Sequence, residues 1–326
     1  MHSYLDKLNV QNKKIMKQIT DTVLMVRPAS FRSNEQTAVN NYFQASNQEA
    51  TESINEKAQK EFDNFVQLLE NEGIYVVVFQ DDVEYDTPDS IFPNNWISFH
   101  ENGNIVLYPM FAENRRRERR EEVLELLENH GFKMDNVYDY TDAEQEEVFL
   151  EGTGSIILDR ENRIAYCALS PRADESLFIE FCEDLEFTPV VFTAYQSVDG
   201  ERLPIYHTNV MMCVGTSFAV ICSSSIDDKQ ERKAVLEQLK SSGKTIVDIS
   251  EAQMHQFAGN MLQLASKTND QTYLVMSQTA HESLNEQQVQ EIQKHTQILS
   301  APLHTIEKYG GGSARCMLAE VFLPEE

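Results

Sequence analysis

Residues 92–109, FPNNWISFHENGNIVLYP, read as a corner, a strand, a tight turn and a second strand. WISFH and NIVLYP flank Glu101-Asn102-Gly103, and an Asn-Gly step between apolar runs is a strong hairpin signal. The charged amphipathic stretch from Glu113 to His130 predicts a helix. The same order then returns. SIILD and RIAYCAL flank Arg160-Glu161-Asn162, with a helix expected after Pro171. NVMMCV and FAVICSS flank Gly215-Thr216, with a helix from about Asp228 to Ser241. NMLQLA and TYLVMS flank the loop Ser266 to Gln271, with a helix from about Glu286 to His295.

The corners opening these copies fall near Phe92, Leu150, Tyr206, Gly259 and Gly312, at intervals of 58, 56, 53 and 53 residues. Repeats of this length mean one copied supersecondary unit, and a ββαβ unit cannot bury both faces of its sheet alone. Only one strand, ARCMLAEVF (314–322), follows the last corner. The start of the chain carries the complement: TVLMVRP (22–28), helical character from about Asn34 to Gly73, and YVVVFQ (75–80). Pairing the two chain ends would complete a fifth unit. The expected fold is therefore α/β, a five-fold pseudo-symmetric ββαβ propeller whose ring is closed by the N- and C-terminal strands, an arrangement that protects strand edges. An open doubly wound sheet is the alternative. Residues 1–20 read as a polar, partly helical extension and 21–326 as a single domain.

Composition narrows the function. The chain has 326 residues, 41% hydrophobic and 25% charged, an ordinary globular balance. Its net charge of -26 repels phosphate backbones and anionic lipid, so neither nucleic acid nor membrane is expected as a partner. No apolar run approaches the ~20 residues that span a bilayer, and the N-terminus lacks the apolar segment of a secretory signal; a cytoplasmic location is expected. Five cysteines with no CxxC pair argue against a disulfide framework and a zinc knuckle. GxGxxG, Walker A and HExxH motifs are absent.

If the units surround an axis, their corners converge. FPNNW, LEGTGS (150–155), YHTN (206–209), AGN (258–260) and GGGSARCM (310–317) then bring together one Cys, one His, one Glu and several amides. Cys316 follows Gly310-Gly311-Gly312, which lets backbone approach a ligand, and the neighbouring Arg315 can favour a thiolate. His207 can move protons. Glu151, between Leu150 and Gly152, sets a carboxylate at the edge of a core. Together they form a thiol-dependent set of nucleophile, acid/base and orienting carboxylate. The plainer readings are a buried strand cysteine, a strand-start histidine and an exposed corner acid.

The ordered series FPNNW, LEGTGS, YHTN and GGGSARCM resembles the guanidine-modifying superfamily, or penteins, and most of all its citrulline-hydrolase branch. The likeness runs from MVRPASF at 25 to the final strand. It implies a five-fold propeller, Cys316 as covalent nucleophile, His207 as general acid/base and Glu151 as its partner. It also implies that Arg172, in Ser170-Pro171-Arg172, grips a substrate carboxylate. Phe92, Asn94, Asn95, Asn209 and Gly312, at the converging corners, are the remaining candidates for substrate contact.

In the family that the sequence resembles, guanidine-processing members carry an acid where this sequence has Asn95, and often another where it has Asn209. A guanidinium is all donors, whereas a ureido group adds a carbonyl acceptor, which an amide can match. On that argument citrulline is the expected substrate: Cys316 would attack the ureido carbon, ornithine would leave, and a carbamoyl thioester would be hydrolysed to CO₂ and ammonia without metal or organic cofactor. Arginine deiminase or dihydrolase activity, an amidinotransferase, and a non-catalytic binding propeller are the alternatives. The arginine cluster Arg115, Arg116, Arg117, Arg119 and Arg120 is expected to pair with Glu118, Glu121 and Glu122. The sequence leaves open whether the chain forms a homo-oligomer.

Overall fold

Short apolar runs bounded by turn residues form seventeen strands in the computed structural model, which describes residues 16–45 and 50–325. In chain order these are β1 (Thr22–Arg27), β2 (Tyr75–Gln80), β3 (Ile97–Phe99), β4 (Asn104–Leu107), β5 (Asn136–Asp139) and β6 (Ile156–Asp159). Next come β7 (Ile164–Leu169), β8 (Thr188–Thr193), β9 (Tyr195–Val198), β10 (Glu201–Pro204), β11 (Met212–Val214) and β12 (Phe218–Ile221). The last are β13 (Thr245–Asp248), β14 (Leu262–Ala265), β15 (Thr272–Ser277), β16 (Gln297–Ala301) and β17 (Ala319–Glu320).

Five three-stranded sheets share one plan. β3-β4-β5, β6-β7-β8, β11-β12-β13 and β14-β15-β16 each pair their first two strands antiparallel and their last two parallel. The fifth, β17-β1-β2, has the same plan assembled from both chain ends: β17 runs antiparallel to β1, with Val23 opposite Glu320, and β1 runs parallel to β2. In every unit a helix links the parallel strands: Thr51–Asn71, Glu121–Asn129, Glu175–Asp184, Lys229–Ser241 and Glu286–Gln293. Their starts are locally encoded. Asp174 accepts from Leu177 N, Asp228 from Gln230 N and Glu231 N, and Asn285 forms a capping box with Gln288.

The middle strands are buried throughout their central residues, as in β12, whereas the outer strand β5 is largely exposed. Burial on both faces explains their unbroken apolar runs. Neighbouring units touch through their first strands, β6 against β11, β11 against β14, and β17 against β3. β9 and β10 form a separate hairpin turning at Asp199-Gly200, inserted before the third corner.

Four expectations change. The helix over Glu113 to His130 is a 3₁₀ segment, Glu113–Glu118, an extended step at Arg119 and Arg120, and a helix beginning only at Glu121. The break arises because Arg115 is drawn inward to Glu118 while Arg119 turns to Glu144. Among the described residues from Asn34 to Gly73, helix is confined to Thr51–Asn71. ARCMLAEVF is a 3₁₀ turn, Ala314–Met317, followed by only two paired residues. Residues 1–15 of the expected extension lie outside the described residues; Gln18 is buried and donates to Leu158 O and Val214 O, across the second and third units. No described helix is long and apolar enough to cross a membrane.

Candidate active site

Four inner strands are entered through a tight helical turn: Pro93–Asn95 before β3, Gly152–Ser155 before β6, Thr208–Val210 before β11 and Ala314–Met317 before β17. In the remaining unit a turn ending at Gly259 delivers Asn260 just before β14. These turns set polar side chains at strand starts, where the pleat no longer dictates their direction. One cleft results. It is lined by Cys316, His207, Phe92, Asn95, Arg172 and Gly312, all anticipated from the sequence, by Tyr206 of the YHTN corner, and by Asp89 and Arg115, which were not anticipated as site residues.

His207 Nε2 lies 2.7 Å from Glu151 Oε2, with both side chains almost wholly out of solvent. Glu151 also accepts from Phe111 N at 3.0 Å and from Arg172 Nη1 at 3.5 Å. Burial by itself would raise the Glu151 carboxyl, but Arg172, the His207 hydrogen bond and Arg115 hold it well below the usual carboxylate range. An ionised carboxylate only accepts, so Nε2 carries the hydrogen and Nδ1 is the basic nitrogen. Burial lowers the His207 pKa to about 4 despite the opposing pull of Glu151. The imidazole is neutral near pH 7.

A Cβ at Gly154 would lie 2.5 Å from Asn95 Nδ2 and 2.9 Å from His207 Nδ1. Glycine therefore lets the amide and the imidazole close on one point. Within the Gly310-Gly311-Gly312 run, only Gly311 has positive φ, +64°, where it ends the helix His304–Gly310. The flanking glycines make room for the Phe92 ring.

Cys316 Sγ accepts hydrogen bonds from Asn209 Nδ2 at 3.4 Å and Asn260 Nδ2 at 3.2 Å. Arg315 does not help the sulfur as expected, because its guanidinium donates to Leu318 O and Glu320 Oε2 instead. All five cysteines are free thiols.

The amides are engaged differently from the sequence argument. Asn95 Oδ1 accepts from Arg115 Nη1 at 2.7 Å, and its Nδ2 donates to Asn94 Oδ1. Asn94 turns to Thr153, and Asn209 to the sulfur. With one carbonyl committed to Arg115 and one NH₂ to Cys316, two free amides matched to a ureido group are not what the cleft contains. Arg172 donates to Glu151, to Thr37 O and to Asn40 Oδ1.

Asp89 supplies what the sequence reading missed. It is buried, its Oδ2 accepts from Asn34 Nδ2 and Thr37 Oγ1, and its Oδ1 has no hydrogen-bond partner among the described residues. Burial raises its pKa, opposed by Arg115 and Asn34. Asp89 stands three residues before the FPNNW corner, in PDSIF, and only its proximity to that corner could have flagged it. Arg115 was hidden in a run of five arginines. Its Nε and Nη2 both donate to Glu118 at 2.8 Å, and burial drives the Glu118 carboxyl up to about 7 against the pull of Arg115. Of the other arginines, Arg116 and Arg119 reach Glu144 and Arg120 pairs with Glu122, so the partners only partly follow helical spacing.

Residues 27–323 match the profile of a family described as N,N dimethylarginine dimethylhydrolase, eukaryotic. The chain belongs to this family. Membership brings with it the pentein superfamily of guanidino-modifying enzymes that the motifs resemble. A search of curated proteins finds no match. Among solved structures, apo ArgZ, an arginine dihydrolase from the ornithine–ammonia cycle in cyanobacteria, superposes with a TM-score of 0.70 at 18% identity, over 94% of this chain and 41% of that one. Unliganded AgrE gives a TM-score of 0.71 at 19% identity, over 94% of this chain and 40% of that one. A histidine-to-glycine variant of dimethylarginine dimethylaminohydrolase, as its adduct with S-methyl-L-thiocitrulline, gives 0.62 at 12% identity, over 93% and 99%. The family chain thus spans about two fifths of ArgZ and AgrE, and at these identities the likeness carries the mixed α/β fold. None of these comparisons specifically supports the ureido reading drawn from Asn95 and Asn209.

Proposed function

We propose that this protein is a cysteine-dependent hydrolase of the guanidino group of an arginine-type amino acid. The observation that carries the reading is one cleft holding Cys316, a neutral His207 backed by an ionised Glu151, and an Asp89 carboxylate with an unpartnered oxygen. A buried anion of this kind is a partner for a cationic substrate group, and family membership supports the same substrate class.

In this mechanism Cys316 Sγ attacks the guanidino carbon while His207 Nδ1 takes the thiol proton, and Glu151 stabilises the imidazolium. The imidazolium returns the proton to the departing nitrogen. The C–N bond breaks, leaving a thiouronium on sulfur. Water then adds to that carbon with its proton passing to Nδ1, the C–S bond breaks, and a ureido product leaves. Asn95, with its carbonyl fixed by Arg115, keeps its NH₂ near His207 as a donor for an oxygen developing at that carbon. The same donor suits a second round on the ureido product, the overall conversion named by the dihydrolase relatives, which would release ornithine, CO₂ and ammonia. Residues 21–326 then act as one catalytic domain, and the repeated sheets with joined chain ends support a closed five-fold ring.

Side-by-side turnover of arginine, N-methylated arginines and citrulline, with product identification, tests this. Consumption of a guanidino substrate is expected. Turnover of citrulline alone would restore the ureido reading, a required amine acceptor would mean a transferase, and an inert panel would defeat the proposal.

A further inference from the structure

Cys316 is buried, and among the described residues no charged side chain hydrogen-bonds to its sulfur. The sequence neighbour Arg315 is committed to Leu318 and Glu320. Among the charged groups facing the same cleft, Arg115 is held by Glu118 and pairs with Asp89 Oδ2 at 4.0 Å, Arg172 is held by Glu151 and Asn40, and Asp89 also by Asn34 and Thr37. Neutral His207 and Tyr206 complete its titratable surroundings. The contacts to sulfur come from two amides, each from a different unit of the fold.

Asn260 is the better organised of the two. Its Oδ1 accepts from Arg315 N at 3.0 Å, and its Nδ2 donates to Asn209 O at 3.1 Å. Those two bonds fix which way the amide faces, so its remaining N–H points to Cys316 Sγ at 3.2 Å. Asn209, by contrast, has an Oδ1 with no partner among the described residues, so nothing comparable fixes its orientation. Asn260 is wholly buried, where an oriented N–H donor stabilises charge far better than mobile water.

We propose that Asn260 is a further catalytic residue, a preset hydrogen-bond donor to the sulfur of Cys316, with Asn209 as its weaker companion. This rests on the reading of Cys316 as nucleophile. Sulfur bears negative charge twice in that reaction, when it attacks and when it leaves the covalent intermediate, and the donor acts at both points.

The test is the rate at which iodoacetamide alkylates Cys316, followed by peptide mass mapping, in wild type, Asn260→Asp and Asn260→Ala. Both variants are expected to react at least ~10-fold more slowly at pH 7, with the gap closing at alkaline pH, where sulfur is charged in every form. Rates within two-fold of wild type, or a slowing that persists unchanged at high pH as lost access would give, overturn the assignment. Should neither variant fold, Asn209→Ala reports on the same sulfur: slowing supports the amide donors, and a wild-type rate overturns them. Alkylation needs no substrate, so a wild type that alkylates at Cys316 yet turns over nothing in the panel defeats the proposed reaction without obscuring this result.

Discussion

His207 Nε2 stands 2.7 Å from Glu151 Oε2, and the two residues lie 56 positions apart on corners of adjacent units. The carboxylate fixes the tautomer, leaves Nδ1 basic, and supports the imidazolium that must form during turnover.

Glu151→Gln keeps the shape but removes the charge. Turnover should fall by about 10²–10⁴-fold with KM little altered, in line with the loss of an orienting carboxylate. Steady-state kinetics on a folded variant checks it; a loss confined to KM would place Glu151 in binding instead.

The acid side of the pH profile follows from burial. With the His207 pKa lowered to about 4, kcat/KM should hold down to about pH 5, and a limb near the ordinary histidine value of about 6.5 would contradict the buried pair.

Stability should respond to pH through two opposed groups. His207 binds its proton less readily folded than unfolded, so its contribution grows as pH rises from about 4 to about 6.5 and is lost on the way down. Glu118, raised to about 7, binds its proton more readily folded, so its contribution shrinks as pH rises from about 4.5 through 7. Urea unfolding of Glu118→Gln should therefore show stability climbing more steeply from pH 5 to 7 than in wild type. A parallel climb would argue against the raised Glu118.

Arg115→Ala leaves Glu118 without its buried partner and Asn95 without its anchor. Destabilisation of about 3–5 kcal/mol is expected in urea melts at pH 8. Arg115→Lys, which keeps the charge but not the fork, should fold and still lose about 10-fold or more in kcat.

Asp89→Asn removes the charge of a carboxylate whose Oδ1 has no hydrogen-bond partner among the described residues. The KM for arginine should rise by about 10-fold or more while the alkylation rate of Cys316 stays near wild type, since charge-assisted hydrogen bonds are worth roughly 1.5–3 kcal/mol. An unchanged KM would remove Asp89 from substrate binding.

Much of the architecture was legible because it is repeated. Asn102-Gly103 marks one hairpin, and the period of the corners separates the units; the apolar runs of β7 and β12 are unbroken because both faces are buried. The failures were local and shared a cause. The Glu113–His130 pattern is amphipathic throughout, yet Arg115 sinks towards Asn95 and splits the helix, a long-range contact that helical periodicity does not encode. The apolar content of the last segment predicts a strand, but Cys316 sits in a 3₁₀ turn set by packing against other corners.

By itself the sequence determined the repeated unit, the joining of the chain ends in one sheet, and the convergence of Cys316, His207 and Glu151, because covalent order and hydrophobic period carry that information along the chain. Only the tertiary structure decided which hydrogen-bonding groups remain free once the corners meet. Asn95 gives its carbonyl to Arg115, Asn209 gives an N–H to sulfur, Arg315 turns away, and Asp89 Oδ1 has no hydrogen-bond partner among the described residues. A residue type fixes what a side chain can donate or accept, whereas the partner that takes it is chosen by burial among segments far apart in the chain.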